Sequence, residues 1–432
     1  MTTPQLRALL VLSGAALLAA LWAALSMQPI TWMCMDLYPT WIAAQVTAVG
    51  APEAAYNAGV WTGQGYHPAW IAAMKAKGLP TSAGTSFHYG PAYLWLTWPL
   101  TRLLSLPQLT VLFFAGNALS VSYLGLEMGR PMGWTRPWLR ALPTLLLGLS
   151  FPVLYAVELG QNVPITLALA WAGARALGPG EKPWLGISLW VLASLFKPWF
   201  VLAFALLLLA KRWKDFAVGA GAWALLSVLL PKVLTPELAA GYSQVNQALL
   251  TTTVVPQNNI SLRSHVLRLS DPDWIGMVSN WQPVQISPQS MQLELYALLA
   301  VGLGILVWGL IRPRAWLDLV RVGLVAMLLP LGIVWTHYLI FAFPLIAALV
   351  ADGRRPLRWL GIALSTYMLA MWPHAIQDPV HAHRWEDIEA FALADPSLGA
   401  LRATLPFAWI VLALLVFAAT RRPAAEEPNP SA

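Results

Sequence analysis

An isolated carboxylate, an ammonium inside a long apolar run and a histidine beside a tyrosine are the side chains whose settings could support acid–base or anion chemistry. Asp36 sits in the apolar stretch Met33-Cys34-Met35-Asp36-Leu37-Tyr38. A carboxylate at a membrane boundary without a neighbouring cation is costly to keep ionised. Partial desolvation would raise its pKa toward the range of an effective general base. Capping a short helix that runs into Pro39-Thr40-Trp41 is the plainer alternative. Lys197 lies within the run Ile187 to Leu209 and precedes Pro198, which kinks a helix. Such an ammonium should face a cavity and an anion rather than lipid, unless it pairs with Glu158 or snorkels to an interface. Glu158, Gly160, Gln161 and Asn162 form a polar knot between two apolar runs. At membrane depth a knot of this kind needs protein or a wet cavity around it, although a tight turn uses the same residue types. In Trp335-Thr336-His337-Tyr338, the imidazole of His337 and the hydroxyl of Tyr338 could donate to a phosphate oxygen. Arg263 and Arg268 could grip phosphate bidentately, or simply form a solvated amphipathic face.

Metal chemistry has little support. His374, His381 and His383, with Asp378 and Asp387, match no specific zinc spacing, so no metal site is expected. No phosphate-cradling glycine loop, Gly-x-Ser-x-Gly elbow or His-Glu-x-x-His is present. No cofactor is expected, and a divalent cation clamping phosphate stays open.

The elements that must position these groups follow from composition. Of 432 residues, 58% are hydrophobic and only 10% charged, against about 25% charged in soluble domains, which excludes a soluble globular enzyme. The net charge of +7 is scattered beside apolar runs and reads as membrane topology rather than nucleic-acid binding. One cysteine, Cys34, excludes an internal disulfide framework, and 24 tryptophans suit membrane interfaces. Runs long enough to span predict an all-α polytopic protein of about twelve transmembrane helices. They are Ala8 to Leu25, Tyr89 to Leu104, Gln108 to Glu127, Ala141 to Val157, Val163 to Leu177, Trp184 to Ala210, Phe216 to Pro231, Gln292 to Ile311, Leu317 to Val334, Tyr338 to Val350, Leu357 to Trp372 and Leu405 to Thr420. The first is expected to be an uncleaved anchor rather than a signal peptide.

Alternating these runs from a cytoplasmic amino terminus puts Arg7, Lys211, Arg212, Lys214, Arg312, Arg314, Arg354, Arg355, Arg358, Arg421 and Arg422 inside. The connection Met128 to Arg140, with Arg130, Arg136 and Arg140, lands outside and breaks the rule. Either the pair of runs after it does not fully cross, or the count there is off by one. Arg321, near the cytoplasmic end of a span, is expected to snorkel. Three outer connections are long, 26–88, 232–291 and 373–404, and lengths of this kind usually serve a function. Short helices are expected in the first, at Trp41 to Val49 and Ala69 to Ala76, and in the second, at Leu238 to Leu250 and Ile260 to Leu269. Residues 1–422 would form one integral membrane domain, and 423–432 a disordered cytoplasmic tail.

An early Asp36, then Ala55-Tyr56-Asn57, then Phe87-His88-Tyr89-Gly90-Pro91, resembles the GT-C membrane glycosyltransferases. Gly160-Gln161-Asn162, Lys197-Pro198 before Lys211-Arg212-Trp213, Asn259-Ile260-Ser261-Leu262 and Trp335-Thr336-His337-Tyr338 are similar to glycosyltransferase family 87, in that family's order. The resemblance implies an inverting transferase in the cell membrane that moves a hexose, mannose by family expectation, from a polyprenyl phosphate to a hydroxyl of a glycolipid or glycan at the extracytoplasmic face. It implies Asp36 as general base. Lys197, Arg263, His337 and Tyr338 would hold the donor phosphate, and Tyr89, Glu158, Gln161, Asn162 and Asn259 would bind substrate. The partners are then the lipid-linked donor, the acceptor and the bilayer, with no nucleic acid. A transporter or flippase would share the composition, but the matched broken helices of internal repeats are not evident. An assembly subunit that binds lipid-linked sugar without turning it over is the third reading.

Overall fold

The computed structural model describes residues 14, 36–61, 65–76, 87–132, 137–178, 182–254, 259–270, 283–311, 315–370 and 411. The anchor Ala8 to Leu25 apart from Gly14, Cys34, the histidine group His374, His381 and His383, the run Leu405 to Thr420 apart from Val411, and the tail lie outside them.

The described chain is almost wholly helical. Tyr38–Ala48 (α1) and Pro68–Lys75 (α2) belong to the connection expected to be the first outer loop, and Pro91–Leu103 (α3) and Leu106–Gly129 (α4) follow. Pro137–Gly148 (α5), Phe151–Glu158 (α6), Val163–Ala176 (α7) and Pro183–Phe196 (α8) come next. A 3-10 segment, Pro198–Phe204, leads into Ala205–Leu209 (α9). Trp213–Ala224 (α10) continues through a π turn into Leu230–Leu234 (α11). The second outer loop carries Pro236–Thr251 (α12) and Leu262–Ser270 (α13). Pro288–Ile311 (α14), Trp316–Ala326 (α15), the 3-10 segment Thr336–Ala342 with Phe343–Val350 (α16), and Arg355–Ala370 (α17) complete the order. A two-stranded antiparallel ribbon pairs Thr252–Thr253 (β1) with Val284–Gln285 (β2). Proline stands in the first turn of α1, α3, α7, α8 and α12, where its fixed φ suits a helix start and no internal donor is lost.

Two described helices, Leu106–Met132 and Trp213–Leu234, are long and apolar enough to cross a membrane alone. α6 and α7 pass the same test together but are bent by 119°. The expectation of about twelve spans therefore goes beyond what length and composition show here. The bend falls at Leu159 to Asn162, where Gly160 adopts a φ of +70° that a side chain would strain.

The run Trp184 to Ala210, read from sequence as one span, is broken at Lys197, whose extended backbone (φ −136°, ψ 100°) is the conformation a following proline imposes. The chain then folds back. Trp190 packs edge-on against both Phe200 and Phe204, at 5.9 and 5.8 Å between ring centres. Arg212, after α9, donates to the carbonyl of Leu177, just after α7.

The fold-back brings Arg212 to the end of the helices where Arg130 and Arg175 lie. Arg130 and Arg175 both pair with Glu127, at 3.0 and 3.6 Å. With Arg212 beside Leu177, these arginines share the end of the helices remote from Gln161, since α7 separates the two ends by about 21 Å. Arg321 does not snorkel. It is buried, pairs with Asp318 at 2.5 Å and covers the ring of Trp171, because α15 packs inward against α7.

α7 and α8 pack closely through Gly173 and Gly186, whose missing side chains admit the neighbouring backbone. Trp190 Nε1 donates to Ala170 O at 2.9 Å and fixes the pair. In the outer loops, Tyr56 packs on Phe87 and Tyr242, at 5.2 and 5.5 Å, joining the first loop to α12 and to the strand of chain that carries Tyr89.

Candidate active site

Both breaks point at the same place. Gln161 stands immediately before α7, Lys197 in the turn after α8, Tyr89 just ahead of α3 and Tyr338 in the 3-10 segment before α16. Asp36 joins them from the first loop. Its amide donates to Leu159 O at 2.8 Å, and its Oδ2 accepts from Gln161 Nε2 at 2.5 Å. The other end of that amide, Gln161 Oε1, accepts from Lys197 Nζ at 2.6 Å. Lys197 Nζ also lies 3.4 Å from each of the hydroxyls of Tyr89 and Tyr338, and 4.9 and 5.1 Å from their ring centres. Two electron-rich rings thus help to hold a buried ammonium.

Asp36 is not a helix cap. The residue capping α1 is Leu37, and no side chain bonds to the free amides there. The side chain keeps part of its surface open while protein crowds it on most sides. Burial pushes the Asp36 carboxyl above the ordinary carboxylate range, and the hydrogen bond from Gln161 and the charge of Lys197 act the other way.

His337 is buried, and neither ring nitrogen has a hydrogen-bond partner among the described residues. Its ring meets Tyr155 and Tyr338 edge-on, at 5.7 and 4.8 Å. A buried imidazole with both nitrogens unused is costly unless a ligand engages it.

Other residues expected at the site make contacts of their own within the protein. Asn259 is fully buried and clamps backbone. It donates to Val254 O at 2.6 Å and accepts from Val334 N at 3.0 Å and Ser261 N at 3.1 Å, which pins the segment leading to His337. Asn162 donates to Phe196 O at 3.3 Å and ties the start of α7 to the end of α8. Glu158 ends α6 and is half-buried. Arg263 is engaged through Nε by Glu294 at 2.8 Å and through Nη1 by Leu249 O at 2.8 Å. The side chain of Arg268 lies outside the described set. Among the described residues no group of three or more His, Cys, Asp or Glu gathers as a metal would require.

Sequence reasoning missed two supports. Asn117, buried in α4, donates to Gln161 O at 3.0 Å. As the one amide inside the apolar run Gln108 to Glu127, it was a visible signal. Tyr93 stacks on Tyr89 with centres 4.3 Å apart and meets Phe196 edge-on. One period of α3 after Tyr89, it reads in sequence as ordinary core.

An acid that can take a proton and a cation with hydroxyl donors that can meet an anion thus stand on either side of one amide. This suits transfer of a group from a phosphate to an alcohol. The sequence matches the model of glycosyltransferase family 87 over residues 87–341, more than half of the chain. The chain belongs to that family. This family 87 protein is accordingly a glycosyltransferase, and its apolar helices make it a membrane protein. The matched stretch contains Tyr89, Gln161, Lys197, Asn259 and Tyr338, whereas Asp36 lies before its start. No curated protein and no solved structure matches the chain.

Proposed function

We propose that this family 87 transferase moves a hexose, mannose by family expectation, from a polyprenyl phosphate to a hydroxyl of an envelope glycolipid or glycan. Ionised Asp36 accepts the proton of the acceptor hydroxyl as that oxygen attacks the anomeric carbon. The bond from that carbon to the phosphate oxygen breaks, and a β-linked donor gives an α-linked product. Polyprenyl phosphate leaves as an anion and needs positive stabilisation rather than a strong acid. Lys197, with the hydroxyl of Tyr338 and the free imidazole of His337, supplies it.

The observation that carries this reading is the linkage of Asp36 to Lys197 through the single amide of Gln161. It brings a base and a cation together without pairing them. The extracytoplasmic side is favoured because Arg130, Arg175 and Arg212 gather at the opposite end of the helices, where the positive-inside rule puts the cytoplasm.

The test is transfer by purified protein in nanodiscs given a synthetic polyprenyl-phosphate mannose and an envelope lipid extract, with products read by mass spectrometry. Asp36→Asn should lower the rate by about two to four orders of magnitude. Wild-type transfer by that variant would sink the assignment of the base.

A further inference from the structure

We propose that Gln161 is a positioning residue whose side-chain amide holds Asp36 and Lys197 apart, so that a base and a phosphate-binding cation do not collapse into an ion pair. The inference rests on the reading of Asp36 as the general base. Gln161 was expected to bind substrate, yet both ends of its amide are taken. Nε2 donates to Asp36 Oδ2 at 2.5 Å, and Oε1 accepts from Lys197 Nζ at 2.6 Å and from the Tyr89 hydroxyl at 3.4 Å. The charges fix this orientation, because a flipped amide would set its NH2 against the ammonium and its oxygen against the carboxylate.

The backbone of Gln161 is equally constrained. Its amide donates to Ala156 O at 2.8 Å, its carbonyl accepts from Asn117 Nδ2 at 3.0 Å, and Gly160 before it takes a φ of +70°. α6, α4 and the start of α7 therefore converge on one side chain. The consequence is chemical. A carboxylate paired directly with an ammonium is a weaker base, and the ammonium is spent before a phosphate arrives. With the amide between them, Asp36 Oδ1 takes no hydrogen bond from a described residue and stays open to an acceptor hydroxyl.

The charged and titratable groups facing Asp36 are Lys197 from the break after α8, Tyr89 from ahead of α3 and Tyr338 from ahead of α16. His88 and His337 adjoin Tyr89 and Tyr338, and Glu158 ends α6 beside the turn that carries Gln161.

The experiment compares Gln161→Leu, Gln161→Met and Asp36→Asn in the full chain in nanodiscs, with synthetic polyprenyl-phosphate mannose as donor. It measures kcat and donor KM between about pH 4 and 9. Gln161→Leu should lower kcat on the order of tenfold to a hundredfold, raise donor KM severalfold as Lys197 is drawn to Asp36, and move the acid limb of the rate profile to lower pH. The direction follows because a carboxylate brought into direct contact with an ammonium gives up its proton more readily. Gln161→Met has the same length and also lacks the donor, so it should give the same displacement and guards against a folding failure of the leucine variant. An unmoved acid limb in whichever of the two variants folds, with Asp36→Asn inactive, overturns the role of Gln161 and leaves the base assignment standing. Wild-type transfer by Asp36→Asn overturns both.

Discussion

The amide of Asp36 donates to the carbonyl of Leu159 at 2.8 Å, and this bond ties the first outer loop to the break between α6 and α7. Asp36, the proposed base, is thus anchored by its backbone at the same turn that supplies Gln161 to its side chain. Because the contact is a backbone one, replacing the carboxyl group should leave it intact. The predictions below use that separation.

The rate should follow ionised Asp36. Its carboxyl is held above the ordinary value of 3.8 by burial, so the acid limb of kcat/KM should have its midpoint above that value. A midpoint at or below it, in wild-type protein assayed with saturating acceptor, would contradict the burial described for this group.

Asp36→Asn should keep the fold. A carboxyl whose folded pKa exceeds its unfolded one contributes stability that is fully present below the unfolded value and lost as pH rises through the folded value. At neutral pH ionised Asp36 is therefore a cost, and asparagine still accepts from Gln161. Differential scanning fluorimetry should show a Tm equal to or above wild type at neutral pH, and a large drop would contradict this.

Lys197→Met should weaken donor binding. Loss of a charged hydrogen-bond donor is worth about 1.5–3 kcal/mol, which raises donor KM by roughly ten- to a hundredfold. Lys197→Arg should not rescue, because a planar guanidinium does not fit the space between the rings of Tyr89 and Tyr338. Unchanged donor KM in the methionine variant would remove Lys197 from phosphate binding.

Arg263 should behave as structure. Its side chain and that of Glu294 are 11% and 5% exposed, so removing one partner leaves a buried charge and costs about 3–5 kcal/mol. The double variant Arg263→Met, Glu294→Met should recover most of that stability with donor KM unchanged. A raised KM in the double variant would return Arg263 to the phosphate.

Gly173→Leu should separate α7 from α8. The added carbon meets the ring of Trp190, which is locked by its bond to Ala170 O. Overpacking costs about 1–3 kcal/mol, and limited proteolysis should show earlier cleavage than in wild type.

What could be read from the sequence divides along physical lines. The short outer helices, the polar knot at 158–162 and the break at Lys197-Pro198 were legible because proline, glycine and polar residues inside apolar runs act locally. The fold-back after Lys197 was not, since a proline announces a kink but not its angle, and only Trp190 meeting Phe200 and Phe204 decides it. The partner of Arg263 was equally hidden, because Glu294 lies 31 positions away in the next helix. Gln161 was read as a substrate contact, and its bonds to Asp36 and Lys197 were not foreseen. An amide between two apolar runs looks the same whether it meets a sugar or a lysine.

The reversal at Lys197 has a further consequence for the surrounding lipid. Each arm of that hairpin, Pro183–Phe196 and Pro198–Leu209, reaches only about 21 Å, against an apolar layer of about 30 Å. Where these arms face lipid, a membrane would accommodate the shortfall by thinning locally, which would bring phosphate groups nearer the turn. The proposed prenyl-phosphate donor would then need to dip only slightly for its headgroup to meet the lysine.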